Sequence, residues 1–111
     1  MSASPLVDAA VLDDLIEHIG AAAVQAIFDL FVAECRELIA AMRVAAGHPD
    51  AARRAAHSLK SSAGQLGAVA LAAAAERVET ANAAEIQGHV ATLAACAAQT
   101  EAALAARLAA A

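Results

Sequence analysis

The side chains of this sequence best suited to chemistry lie in one short stretch. AAHSLKSSAGQLGA, residues 55–68, interrupts a chain that is otherwise rich in alanine. If the stretch is helical, steps of about 100° per residue place His57 on one face. Within about a quarter-turn of it lie Lys60, Ser61, Gly64, Gln65 and Ala68. The opposite side carries Ala52, Ala55, Leu59, Ala63 and Leu66. We therefore expect the second set to face the interior and His57 to face the solvent.

The pair formed by His57 and Lys60 indicates phosphoryl chemistry. A neutral imidazole nitrogen is a competent nucleophile. A lysine one helical turn away does not stabilise an imidazolium, but its ammonium can bind the oxygens of a phosphoryl group carried by the ring. The alternative is that Lys60 is an ordinary solvated charge on a helix surface.

Gly64 indicates that the same face receives another protein. A glycine inside a helix costs about 1 kcal/mol relative to alanine, and this sequence uses alanine almost everywhere else. Without a side chain at this position, a partner's backbone can approach beside His57. Ser61 is small enough to keep that approach open, and Gln65 adds hydrogen-bonding capacity. The alternative is that the glycine has no functional role and lies where the end of the helix frays.

The stretch resembles the signature of histidine-containing phosphotransfer (HPt) domains, AHxLKGxxxxLGA. The residues that match it are Ala56, His57, Leu59, Lys60, Leu66, Gly67 and Ala68. The segments LDDLIEHIG, IFDLFVAECRELIAAM and LAAAAERVETA are similar to other parts of that family, the last including the acid Glu79. Ser61 departs from the glycine that is common after the lysine.

The resemblance implies a role for each residue of the motif. His57 would carry phosphate between aspartates of receiver domains in a multistep two-component phosphorelay, and Lys60 would hold the phosphoryl oxygens. Gln65 would orient or solvate the ring, and Gly64 would leave room for the receiver. No cofactor is expected on this chain, because Mg²⁺ and the phosphorylated aspartate would belong to the receiver.

Helical periodicity predicts five segments. The first starts at Ser4-Pro5 and stops at Gly20, and the second runs from about Val24 to Gly47. The third spans Pro49 or Asp50 to Leu66. The fourth ends near Asn82, and the fifth carries Ile86 to Leu108. We expect one all-α domain over residues 1–111, an antiparallel four-helix bundle with a short additional N-terminal helix covering one end.

The position of the turn after the second helix predicts which residues of that helix lie beside His57. If the second and third helices are antiparallel about residues 47–50, His57 lies level with about residue 40. The surface that contacts the receiver is therefore expected to include Glu37 and Ala41 on the second helix. Ser61, Gly64 and Ala68 contribute from the third.

Composition excludes several classes of function. A net charge of −5 and a pI near 5.2 argue against nucleic-acid binding. No apolar run is long enough for a membrane span, and the N-terminal residues do not resemble a signal peptide. The chain has no phosphate-binding loop, so we expect no ATP-dependent kinase activity, and no metal-ligand spacing is present. Cys35 and Cys96 predict buried free thiols in the cytoplasm.

Two other functions stay open. A non-catalytic helical adaptor could bind a receiver or a histidine kinase and inhibit it without carrying phosphate. The dimerisation bundle of a histidine kinase also carries phosphohistidine on a helix, but it needs two chains. This chain has enough helices to close a bundle alone, so the sequence predicts a monomer.

Overall fold

The computed structural model describes residues 6–45 and 47–111 of the 111-residue chain. Over these residues the chain forms five helices and no strand, which confirms the all-α prediction. The helices are α1 Ala9–Ile19, α2 Ala21–Val44, α3 Pro49–Gln65, α4 Val69–Thr80 and α5 Ile86–Ala109. All the connections between them are short.

Local signals set most of the helix ends. The Asp8 side chain caps α1 by accepting a 3.1 Å hydrogen bond from the amide of Ala10. Gly20, with φ +88°, separates α1 from α2 by one residue, and Pro49 lies in the first turn of α3. The expected start at Ser4-Pro5 lies outside the described residues. Because Asp8 is the cap, α1 begins at Ala9, four residues later than the sequence predicted.

Helix α3 lies between α2 and α4, and α5 packs against the same two neighbours. The buried face of α3 is Ala52, Ala56, Leu59 and Ala63. Ala55, expected on this face, is only half-buried. Three of the four buried side chains are alanine, and such small residues allow neighbouring helix axes to approach closely. Most of the larger core members come from α2, α4 and α5, including Phe28, Phe31, Leu71 and Leu93, and Leu12 of α1 is also fully buried.

The two cysteines are both free thiols. Cys35 is buried in the core and Cys96 is half-buried. Burial raises the pKa of the Cys35 thiol to about 12, and the nearby carboxylates of Glu101 and Glu34 add to this effect. Cys35 is therefore an unreactive packing residue at neutral pH.

The segment before α1 is bound to the turn between α3 and α4. The Asp8 amide donates to the Gly67 carbonyl at 2.7 Å, and the Ala70 amide donates to the Leu6 carbonyl at 3.3 Å. On the other side, Arg107 of α5 forms a bidentate ion pair with Asp13 of α1, with a closest distance of 2.6 Å. These contacts hold α1 at the end of the molecule where α3 turns into α4.

Gly67→Ala is expected to destabilise the protein by about 2 kcal/mol. Gly67 has φ +73°, and an added Cβ would lie 2.7 Å from the Asp8 carbonyl oxygen and 2.9 Å from Val11 Cβ. Chemical denaturation measures the effect. Gly64→Ala is the matched control, because an added Cβ there meets nothing within 4 Å. It should raise stability by up to about 1 kcal/mol. Equal stabilities of the two variants would contradict this account of Gly67.

Candidate functional site

The outward face of α3 presents His57 to solvent. Its side chain is 64% exposed, whereas Ala56 and Leu59 beside it in the sequence are buried. Alanine and leucine favour a continuous helix here, and their burial between α2 and α4 sets the rotation of the helix. The rotation leaves the imidazole at the surface, on the side of α3 that faces α4.

Glu79 of α4 joins His57 and Lys60 into one polar cluster. His57 Nδ1 lies 2.9 Å from Glu79 Oε2, and Lys60 Nζ lies 2.7 Å from Oε1 of the same carboxylate. Glu79 is only 20% exposed, so its oxygens are largely shielded from water. One carboxylate therefore holds both the exposed imidazole and the neighbouring cation.

The charge states of Glu79 and Lys60 determine which ring nitrogen of a neutral His57 carries the proton. The contact with the Lys60 ammonium lowers the pKa of the Glu79 carboxyl; partial burial opposes this and His57 adds to the lowering. The same contact raises the pKa of Lys60. Glu79 is thus a carboxylate at neutral pH and can only accept hydrogen bonds. The neutral imidazole must donate from Nδ1, which leaves the lone pair on Nε2.

Lys60 and Glu79 form a close ion pair between α3 and α4. Oε1 of Glu79 is buried, and the Lys60 ammonium 2.7 Å away is the cation beside it. A shielded carboxylate oxygen depends on such a nearby charge for its stability. This dependence keeps Lys60 beside His57.

An open pocket of about 590 Å³ extends from His57 along the N-terminal half of α3. Its lining residues are Asp50, Arg53, Arg54, His57, Ser58 and Glu79. Arg53 is already engaged: Nη1 donates to Asp50 at 3.2 Å, and Nη2 donates to the Ala81 carbonyl at 2.9 Å. Over residues 6–45 and 47–111, no group of three or more His, Cys, Asp and Glu side chains could hold a metal ion.

The remaining motif residues of α3 do not touch the imidazole ring. The Ser61 hydroxyl donates to the His57 backbone carbonyl at 3.3 Å. Gly64 has open space where a side chain would be. Gln65 is eight residues beyond His57, about 12 Å along the helix axis, which is too far for its amide to orient the ring. Gln65 instead lines a separate groove between α2 and α3.

Ala68 does not lie on the outward face where the sequence placed it. The helix ends at Gln65, and the left-handed backbone of Gly67 turns the chain, so Ala68 is fully buried. The prediction extended the helical spacing to residue 68, although it ended the helix itself at Leu66. Glu37 and Ala41 are both exposed on α2. Neither residue lines the pocket that contains His57.

A groove beside the C-terminal half of α3 contains exposed apolar residues that the sequence did not single out. It encloses about 200 Å³ and is lined by Ile27, Leu30, Phe31, Glu34, Ser62, Gln65 and Leu66. Leu30 is 73% exposed and Ile27 is 39% exposed. Leucine and isoleucine on the outer side of α2 create an apolar surface next to the polar face of α3.

The sequence contained information that places Glu79 near His57, although the two residues are 22 positions apart in the chain. The turn between α3 and α4 is centred near residue 67. Counting equal distances from this turn along two antiparallel helices places residue 77 level with His57, two residues before Glu79. The sequence prediction of neighbours for His57 rested on the turn before α3 alone.

The chain is similar to a known protein family. The family model described as Hpt domain matches residues 26–110, which include all of α3, α4 and α5 and most of α2. No curated protein and no solved structure matches the chain. Among the helices that the structure describes, none has both the length and the apolar composition of a membrane span.

Glu79→Ala is expected to change the tautomer of His57, because it removes the acceptor that holds the Nδ1 proton. Nitrogen-15 NMR of the neutral imidazole should report a predominantly Nδ1-protonated ring in the wild type and a larger Nε2-protonated fraction in the variant. Glu76→Ala is the control, because Glu76 lies one turn away on the same helix and does not contact His57. An unchanged tautomer ratio in Glu79→Ala would contradict the assignment.

Proposed function

The chain belongs to the Hpt domain family, whose members carry phosphoryl groups on histidine in phosphorelays, and from this premise we propose that His57 is the carrier. The proposed activity is transfer of phosphate between receiver-domain aspartates in a multistep two-component relay. The observation that supports it best is the hydrogen bond from His57 Nδ1 to Glu79. It directs the free lone pair of Nε2 towards solvent, where a receiver can present its aspartyl phosphate.

The proposed transfer needs only the imidazole, the phosphoryl group and the aspartate. The Nε2 lone pair attacks phosphorus, the N–P bond forms, and the bond to the aspartyl oxygen breaks. The aspartate leaves as a carboxylate with the electron pair of that bond. The proton stays on Nδ1, and the positive charge that develops on the ring faces the Glu79 carboxylate at 2.9 Å. The reverse steps pass the phosphoryl group to a second receiver.

Glu79 and Lys60 support this step in different ways. Glu79 stabilises the developing imidazolium, as a buried carboxylate does for a catalytic histidine in general. Lys60 has three N–H donors, and its contact with Glu79 leaves the others available for phosphoryl oxygens. We propose that Lys60 holds the phosphoryl group while it remains paired with Glu79. We assign Gln65 to the surface that contacts the receiver rather than to orienting the imidazole ring.

The proposed partner is a receiver domain, which would supply the phosphorylated aspartate and Mg²⁺. We propose that it docks over the outward face of α3 and the adjoining apolar groove. Ser61 and Gly64 present little bulk there, and Leu30 offers an exposed apolar contact. Glu37 and Ala41 stay candidates for the edge of this surface, because both are exposed on α2. Ala68 is left out because it is buried.

We further propose a single domain that acts as a monomer in the cytoplasm. The contacts of α2 and α4 with both α3 and α5 support an antiparallel four-helix bundle that closes within one chain. The position of α1 against the turn after α3 supports its role as an additional helix at one end. An obligate dimer in sedimentation experiments would favour a histidine-kinase dimerisation bundle instead.

His57→Gln is expected to abolish phosphotransfer, because glutamine has no nucleophilic ring nitrogen. Incubation of the wild type with a phosphorylated receiver should yield an acid-labile, base-stable phosphate on this chain. His89→Gln is the control, since His89 lies on α5 away from the cluster and should leave labelling intact. Label on His57→Gln would rule out His57 as the carrier. A stable complex between the wild type and the receiver without any label would support an adaptor.

Leu30→Gln is expected to weaken receiver binding about tenfold without lowering thermal stability. Leu30 is 73% exposed, so its loss removes an apolar contact with the partner but little core packing. Val69→Gln is the matched control, because Val69 is 42% exposed but lines a different groove, formed with residues of α4 and α5 such as Arg77 and Cys96. Calorimetric titration with a receiver measures both. Equal affinities of the two variants would exclude this groove from the interface.

A further inference from the structure

Arg54 lies one helical turn before His57 on the exposed side of α3. Side chains three residues apart on a helix are neighbours, with about 5–6 Å between their Cβ atoms. Helical side chains also lean towards the N-terminal end of their helix, so the His57 ring inclines towards the turn that carries Arg54. Arg54 and His57 line the same pocket. A group attached to Nε2 therefore extends into space that the guanidinium borders.

The other cations near His57 are already paired. Lys60 contacts Glu79, and Arg53 donates both to Asp50 and to the Ala81 carbonyl. Arg54 differs, because no carboxylate oxygen of the described residues lies within 4.0 Å of its guanidinium. Asp50 also lines the pocket, but its carboxylate is paired with Arg53. Arg54 is thus the cation at this pocket whose charge is not neutralised by a neighbour.

Arginine is chemically suited to the group that the proposed function places there. Its planar fork of N–H donors matches phosphoryl oxygens in a bidentate manner, which a lysine ammonium cannot do. By helical position, Arg54 and Lys60 lie about 60° to either side of His57. A phosphoryl group on Nε2 would have one cation on each side, with Glu79 behind the ring.

We propose that Arg54 binds the phosphoryl group on His57, as a second cation opposite Lys60. This inference rests on the proposed function, since it concerns the phosphorylated form of His57. Arg54 takes no part in bond making: the N–P bond forms and breaks as described above, and the guanidinium donates hydrogen bonds to oxygens that keep their negative charge. Arg53 stays bound to Asp50 and to the Ala81 carbonyl, and so links the N-terminal part of α3 to the end of α4.

The ionisation of the phosphoryl group tests this directly. The full chain is phosphorylated with phosphoramidate, a small donor that needs no receiver, and phosphorus-31 NMR follows the titration of phosphohistidine at about 0.15 M salt, where remote charges are screened. A cation in contact favours the more highly charged phosphoryl form. Arg54→Gln should therefore raise the titration midpoint by about half a pH unit, whereas Arg54→Lys should restore most of the wild-type value.

Arg36→Gln is the matched control, because Arg36 is an exposed arginine on α2 that lines a different pocket. Its midpoint should equal that of the wild type. A midpoint in Arg54→Gln within about 0.1 unit of the wild type would overturn the role of Arg54. An equal shift in Arg36→Gln would also overturn it, since the effect would then follow net charge alone. If the wild type is not phosphorylated, or if His57→Gln is phosphorylated to the same extent as the wild type, the proposed function itself is overturned.

Discussion

The Glu79 carboxylate is the constraint on which the site depends. It is the shared partner of His57 and Lys60, and it lies on a different helix from both. Its contact with Nδ1 selects the tautomer and the direction of the imidazole, and its charge retains Lys60 nearby. The functional geometry therefore requires that α3 and α4 pack in one register, because a shift of one turn would move the carboxylate about 5.4 Å away.

The alanine-rich interior provides that register. Helix α3 buries Ala52, Ala56 and Ala63 against its neighbours, and α4 buries Ala74 and Ala75. Small side chains let the two helices approach closely, so Glu79 reaches His57 without extending into bulk water. Close packing also accounts for the shielding of Glu79, which stays partly buried at an otherwise exposed site. The unusual composition and the geometry of the polar cluster thus have one physical origin.

Periodicity was sufficient to predict the helices and the exposed face of α3, because both follow from local spacing of apolar residues. It failed where a local signal overrode the spacing. Val7 fits a helical pattern, yet Asp8 caps α1 and leaves Val7 outside. Ala68 fits the outward face of α3, yet Gly67 ends the helical path and turns Ala68 into the core. The contact between His57 and Glu79 depends on the register between two helices, which periodicity within one helix does not give and which has to be counted from the turn that joins them.

The two glycines of the motif illustrate why conformation must be known before a residue is given a role. Gly67 adopts a left-handed backbone, and its missing Cβ makes room for the Asp8 carbonyl and Val11, so its place in the motif is structural. Gly64 is helical, and nothing in the described chain occupies the space of its missing side chain. The fold therefore explains Gly67 completely but gives no reason for Gly64. Gly64 borders the face that carries His57, so the docking that we propose supplies a reason: the partner fills the space that this residue leaves open at the cost of helix propensity.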